Sequence, residues 1–293
     1  MKSGFISVIG RPNVGKSTLL NKIMGEKLTI TSNKPQTTRN SIQCIYNCDK
    51  GQAVFIDTPG IHKSKNVLDT KMMKAVDDSL ADIDVLCVMV EPGTTPREDD
   101  LAALARAKRS KAKKILVINK IDNVPTDKIA QTAKFYADNY TFDDIVPISA
   151  FNGTNVEELV NCVFEYLPEG PAYFPPDMVT DQPEKVLIAE FIREKALYVL
   201  DKEIPHGIAI LIDTFTERLD RDLIDVNATI VCEKASHKPI ILGKQGRTIK
   251  EIGTQARTEI QRFMGVQVNL KLWVKVKENW RDSEVFVTNY SKY

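Results

Sequence analysis

The stretch Gly10-Arg11-Pro12-Asn13-Val14-Gly15-Lys16-Ser17 decides the fold of the N-terminal half. It follows the apolar run Phe5–Ile9 and precedes Thr18-Leu19-Leu20-Asn21-Lys22-Ile23, which reads as a helix. Strand, Gly-x4-Gly-Lys-Ser and helix, in that order, are what a phosphate-binding loop requires. The glycines let backbone wrap around phosphates with no Cβ in the way. Successive amides at the positive helix N-terminus then face the anion. Lys16 would reach the β- and γ-phosphates, and Ser17 would ligate Mg²⁺. The plain alternative is a chance glycine turn.

Four further motifs follow in order and weigh against chance. Asp57-Thr58-Pro59-Gly60 comes directly after the apolar run 53–56. A carboxylate there can hold a water of the Mg²⁺ shell, and the Gly60 N–H can meet a γ-phosphate. Asn119-Lys120-Ile121-Asp122 ends the run 115–118. The Asp122 carboxylate can accept the N1 and exocyclic N2 protons of guanine, a donor pair that adenine lacks. A buried carboxylate left unpaired by the wrong base costs about 2 kcal/mol or more. Asn119 would brace neighbouring loops, and the Lys120 stem could cover the ring. Ser149-Ala150 closes the run 145–148, where the Ala150 N–H can meet guanine O6. In Thr37-Thr38-Arg39, a threonine can bind Mg²⁺ only when the γ-phosphate is present; Thr38 is favoured, with Thr37 the fallback. The metal set is thus Ser17, Thr38 and Asp57, and the catalytic set is Lys16, Thr38, Asp57 and Gly60.

One position departs from the better-known small GTPases. They carry a glutamine after the Asp-x-x-Gly that orients the attacking water. Here Ile61 and then His62 follow Gly60. Isoleucine cannot orient water by hydrogen bonding, so intrinsic hydrolysis should be slow. Asn13 is a candidate holder of a monovalent cation such as K⁺ beside the phosphates; the alternative is that it only stabilises the loop.

The surrounding runs predict a mostly parallel sheet with helices on both sides. Val85–Val90 and Ile115–Ile118 are continuously apolar, as strands covered on both faces require. Asn47-Cys48-Asp49-Lys50-Gly51 is a turn joining two strands, so one strand must run antiparallel. Five prolines fall in the sixteen positions 168–183. That composition predicts an extended linker, giving a GTPase domain at 1–167, a linker at 168–183 and a second domain at 184–293. A long internal loop is the alternative.

The second half changes character. The chain of 293 residues has a net charge of only +1, yet from Lys234 to Arg281 eleven Lys/Arg stand against three Glu. A dedicated polyanion surface follows. Gly243-Lys244-Gln245-Gly246 lies between the apolar run Ile240–Leu242 and a helix with Arg247 and Lys250. Ile249, Ile252, Ala256, Ile260 and Phe263 mark one buried stripe on that helix. The last strand alternates Val266, Val268, Leu270, Leu272, Val274 and Val276 inward against Lys271, Lys275 and Lys277. Helix–strand–strand–GxxG–helix–strand matches an α+β KH module of type II, which clamps about four nucleotides of single-stranded RNA. The alternative is a solvated basic face on an ordinary α+β domain.

With 43% apolar and 27% charged residues the chain is globular. No apolar run approaches the ~20 residues of a membrane span. The five cysteines are unpaired in spacing and the three histidines lie far apart, so small reduced thiols are expected and a His-based metal site is not. The expected location is the cytoplasm.

Taken whole, the chain resembles the Era family of bacterial small-subunit assembly GTPases. The resemblance runs from Phe5 to about Tyr290 and rests on GRPNVGKSTLLN (10–21), PQTTR (35–39), DTPG (57–60), NKID (119–122), SA (149–150) and GKQG (243–246). It implies that the hydrophobic Ile61 is a family trait. It implies that GTP favours RNA binding and that the KH domain grips the 3′ end of 16S ribosomal RNA in the 30S subunit, hydrolysis then releasing the factor. It also implies peripheral membrane association on the inner face of the cell membrane, for which no amphipathic anchor or lipidation signal is seen. A monomer is expected. Competing readings are a passive RNA chaperone with an inert nucleotide domain, and a membrane- or division-linked GTPase.

Overall fold

The computed structural model describes all residues except 33, 35, 36, 219, 220 and 291–293. Two residues of the PQTTR motif, at 35 and 36, therefore lie outside the described residues. The chain divides into two compact units: Met1–Ser64 with Asp69–Asp181, and Gln182–Tyr293 with Lys65–Leu68.

The first unit alternates β1 (Lys2–Gly10), α1 (Lys16–Met24), β2 (Ile42–Cys48), β3 (Gly51–Asp57), α2 (Val67–Asp78, of which the first two residues count with the second unit), β4 (Val85–Val90), α3 (Glu98–Arg109), β5 (Lys113–Asn119), α4 (Thr126–Asn139), β6 (Asp144–Ile148) and α5 (Val156–Tyr166). The sheet order is β2-β3-β1-β4-β5-β6. Only β2 runs antiparallel, paired from Ile42 opposite Asp57 to Cys48 opposite Gly51. Every residue of β4 is buried, as are the last five of β5. Parallel strands covered on both faces must be apolar throughout, and truncating a fully buried Ile9 or Ile118 to alanine would cost about 3 kcal/mol. Gly51 is obligatory: its φ is +147°, and a Cβ there would lie 1.8 Å from the Lys2 carbonyl oxygen.

The proline-rich segment is not a free tether. Ser3 N donates to Pro168 O at 3.0 Å and Ile45 N to Val179 O at 2.9 Å. The buried Gln52 amide serves both sides of Phe174, accepting from its N–H at 3.0 Å and donating to its carbonyl at 2.9 Å. Tyr173 packs on Phe5 with ring centroids 4.7 Å apart. Prolines hold the segment extended, and its remaining polar groups satisfy the outer edge of β2, an edge that would otherwise invite pairing.

The second unit holds α6 (Glu184–Val199), β7 (Ile208–Arg218), β8 (Leu223–Cys232), α7 (His237–Leu242), α8 (Arg247–Met264), β9 (Gln267–Val276) and α9 (Glu284–Tyr290). Its sheet order is β7-β8-β9, with β7 antiparallel and β9 parallel to β8. Of the expected α8 stripe, Ile252, Ala256 and Ile260 are fully buried, while Ile249 and Phe263 at its ends are half-buried. Two helices correct the sequence reading. The run Ile240–Leu242 is the end of α7, whose Pro239 sits in the first turn, where a proline needs no N–H. Helix α9 is short and is held by Trp280, whose indole N–H donates to Gly207 O at 2.9 Å and whose ring meets Phe286 and Tyr290. All five cysteines are free; Cys44, Cys87 and Cys232 are buried, whereas Cys48 and Cys162 are partly exposed.

Candidate functional site

The loop from Gly10 to Ser17 joins β1 to α1 at the carboxyl edge of the sheet, where such folds place ligands. Gly15 precedes the helix with φ +110°, and a Cβ on it would fall 2.2 Å from Asn119 Nδ2. No side chain caps the helix, so its first amides remain available to an anion. Lys16 lies buried across the loop, its ammonium 3.1 Å from Gly10 O and 3.2 Å from Arg11 O. Burial pulls its pKa down to about 8, against the partly offsetting charge of Asp57.

Three hard oxygens meet beside it. Ser17 Oγ donates to Asp57 Oδ2 at 2.8 Å and lies 3.0 Å from Thr38 Oγ1. Thr38 Oγ1 reaches the same carboxylate at 3.4 Å. Asp57 Oδ1 is buried and has no hydrogen-bond partner among the described residues. Burial pushes the Asp57 pKa up to about 6 although Lys16, Ser17 and Thr38 all oppose it. Two hydroxyls and a carboxylate with one unsatisfied oxygen form a donor set suited to Mg²⁺. Of the two threonines, Thr38 enters this cluster, while the Thr37 hydroxyl donates to Lys34 O at 2.7 Å.

The segment after Asp57 closes over the loop. Thr58 Oγ1 donates to Val8 O at 2.6 Å. Pro59 and Gly60 follow; a Cβ on Gly60 would lie 2.7 Å from Pro12 Cα. Ile61 is buried and its amide donates to Gly10 O at 3.0 Å, so its side chain serves packing. His62 Nδ1 sits 2.7 Å from Gly60 O and Nε2 sits 3.4 Å from Asp69 Oδ1. Burial disfavours the imidazolium, but the bonds to Asp69 and Gly60 outweigh it and raise the His62 pKa.

The residues expected to recognise the base also converge. Asn119 Nδ2 donates to Val14 O at 2.7 Å and its Oδ1 accepts from Ala150 N at 2.9 Å. It braces the phosphate loop against the Ser149-Ala150 turn. Lys120 Nζ donates to Asn13 O at 2.8 Å. Asp122 Oδ1 accepts from Ser149 Oγ at 2.6 Å. Two expectations need correction. Asp122 is exposed rather than buried. The Ala150 amide, expected to face guanine O6, is engaged by Asn119. The sequence reading also passed over Glu91, the first residue after β4, which pairs with both Arg11 and Lys120. Its position beside a sheet's carboxyl edge was the available signal.

In the second unit the turn Gly243–Gly246 lies between α7 and α8. Gly243 (φ +74°) has no room for a side chain, because a Cβ would meet Thr248 Oγ1 at 2.1 Å. Gln245 adopts left-handed backbone at φ +55°. Lys244, Gln245, Arg247 and Lys250 are exposed. The three cations make no ion pair among the described residues.

Comparisons with known proteins agree with both halves. Residues 5–120 match the 50S ribosome-binding GTPase family and residues 203–281 the KH domain family. The GTPase Era of Clostridium kluyveri is 51% identical over 284 residues, spanning 97% of each chain. That of Clostridioides difficile is 49% identical over 290 residues, 99% of this chain and 98% of its own. A crystal structure of Era in complex with MgGDPNP and nucleotides 1506–1542 of 16S ribosomal RNA superimposes with a TM-score of 0.95 at 37% identity, covering 99% of this chain and 98% of that one. A tyrosine-to-alanine variant of Aquifex aeolicus Era bound to GDP and AlF4⁻ also gives 0.95 at 37% identity, over 99% of both chains.

Proposed function

Because the chain belongs to the Era family of GTPases, we propose that it is a guanine-nucleotide switch that binds 16S ribosomal RNA near its 3′ end and assists assembly of the 30S subunit. The observation that carries this reading is the pairing, in one chain, of the Ser17–Thr38–Asp57 oxygen cluster with an exposed cationic GKQG turn on a KH fold.

In this reading Lys16 and the first amides of α1 hold the β- and γ-phosphates. Ser17, Thr38 and Asp57 would hold Mg²⁺, which when bound neutralises charge on the phosphates. Thr38 and Gly60 sense the γ-phosphate and lose their anchor when it leaves. Asp122 reads the base, and the Ala150 amide must exchange Asn119 for guanine O6. The buried Ile61 supplies no water-orienting group, so intrinsic turnover is slow. Asn13, held at φ +60°, is the residue that would seat a K⁺ ion through its side-chain oxygen. A hydrolysis rate indifferent to exchange of K⁺ for Na⁺ removes that role.

Gly243, Lys244, Gln245, Gly246, Arg247 and Lys250 form the RNA contact, the glycines allowing close approach of the sugar–phosphate backbone. Crosslinking to cellular RNA in GTP and in GDP, followed by sequencing, tests the whole reading. Enrichment of the 3′ end of 16S RNA in the GTP sample is expected; equal recovery in both samples refutes the switch. A cytoplasmic location and a monomeric state belong to the same proposal, and fractionation and light scattering address them. No helix among the described residues is long and apolar enough to cross a membrane.

A further inference from the structure

Glu91 stands at the carboxyl end of β4, outside every motif, and its two oxygens serve two different loops. Oε1 accepts from Lys120 Nζ at 2.5 Å. Oε2 pairs with Arg11 Nη2. Lys120 Nζ also donates to Asn13 O, and Arg11 Nε lies 3.4 Å from Asp100 Oδ1 in the first turn of α3. Both ends of this bridge carry unfavourable backbone: Asn13 at φ +60° and Lys120 at φ +69° are left-handed without being glycine. Such residues keep that conformation only where their surroundings hold it. The Glu91 side chain is 27% exposed. Burial alone would raise its carboxyl, but the Lys120 hydrogen bond and the Arg11 charge outweigh that and lower its pKa.

We propose that Glu91 is a positioning residue for the nucleotide: one carboxylate that yokes the base-recognition loop, through Lys120, to the phosphate loop, through Arg11 and Asn13, and thereby sets how long the nucleotide stays bound. This rests on the reading of the site as a guanine-nucleotide site. A nucleotide spans both loops, with its base at one and its phosphates at the other. Fixing the distance between them beforehand removes an ordering cost from binding. Losing that preorganisation acts mainly on dissociation. The separate brace through Asn119, from Val14 O to Ala150 N, keeps the loops folded when Glu91 is replaced.

The test is stopped-flow dissociation of a fluorescent GDP analogue with Mg²⁺ from the full chain. Glu91→Ala should release it about tenfold faster, the loss of a charge-assisted bridge. Single-turnover hydrolysis at saturating GTP should stay within about twofold, because no γ-phosphate contact is touched. Glu91→Gln keeps an acceptor for Lys120 but turns an N–H₂ toward Arg11, so it should fall between wild type and Ala; it also carries the test if the Ala variant does not fold. In an Arg11→Ala, Lys120→Ala background, Glu91→Ala should add less than about a twofold change. Wild-type dissociation rates in both Glu91 variants, or an undiminished effect in the double background, overturn the proposal. If the wild-type chain holds no GDP analogue, the nucleotide reading itself falls; if it holds the analogue and the Glu91 variants match it, only this inference falls.

Discussion

The two halves present their charges in opposite ways. In the first, the charges that would meet phosphate are buried and already engaged: Lys16 is 6% exposed and Asp57 is inaccessible, and each is displaced from its ordinary pKa. In the second, Lys244, Arg247 and Lys250 stand in solvent on a glycine turn. A small triphosphate bound in one geometry rewards dehydration and preorganisation, because electrostatic contacts strengthen when water is excluded. A flexible strand of RNA rewards accessible charge, whose value comes from released counterions. Burial of charge, rather than its amount, is what sets a site shaped for one small triphosphate apart from a surface open to a long polyanion.

Substitution at Lys16 should separate the two halves most. Lys16→Ala should lower the rate of phosphate release about a thousandfold while leaving RNA affinity in the presence of GDP unchanged. Parallel loss of RNA binding would mean the halves do not use separate machinery. Next, Asp122→Asn replaces an acceptor of two guanine protons with a mismatched amide. GTP affinity by calorimetry should fall about a hundredfold, and xanthosine triphosphate, whose C2 carbonyl accepts a proton, should regain part of it. In the second unit, the Lys244→Ala, Arg247→Ala pair should weaken RNA binding about tenfold and reduce the slope of log affinity against log salt by about 2. An unchanged slope would remove these cations from the phosphate contact.

The smallest effect sharpens the contrast through pH. The Asp57 pKa is raised to about 6 from 3.8, so its contribution to stability is complete at low pH and is lost as pH rises through about 6. The Lys16 pKa is lowered to about 8 from 10.5, so its contribution is complete above 10.5 and is lost as pH falls through about 8. Between those values both groups are charged and both carry desolvation cost. Mg²⁺ and GDP relieve that cost, so the rise in Tm on adding them should be widest near pH 7. It should shrink by about 3 °C towards pH 5, as Asp57 takes up a proton. A rise that is flat across this range would show that the buried pair is not what the ligand relieves.

Much of this was legible in residue order. The all-apolar runs 85–90 and 115–118 became central strands, and the stretches 10–17, 57–60, 119–122 and 149–150 fell at the carboxyl ends of strands, as a parallel sheet enforces, whereas 37–39 lies in the loop before β2. The place of Glu91 at a strand's carboxyl end was legible, but its pairing was not, because its partners Arg11 and Lys120 are 80 and 29 positions away and only the sheet brings them together. The state of the Ala150 amide was illegible for the same reason. Helix α9 was missed because its seven residues carry too weak a period; Trp280 and Gly207 anchor it from outside. The proline-rich segment read as a tether because proline reports extension, whereas docking depends on the Gln52 amide and the β2 edge.

Residue order alone was enough for the two modules, for the glycine-bounded loop between β1 and α1 and for the turn Gly243–Gly246. Those depend on short spacings and on glycine, which are local properties. Folding alone brings Thr38 rather than Thr37 to Ser17 and Asp57, leaves Asp57 Oδ1 without a hydrogen-bond partner among the described residues, and sets Glu91 between Arg11 and Lys120. Hydrogen bonds and desolvation act between groups distant in sequence, and their strength is set where the folded chain brings those groups together and excludes water.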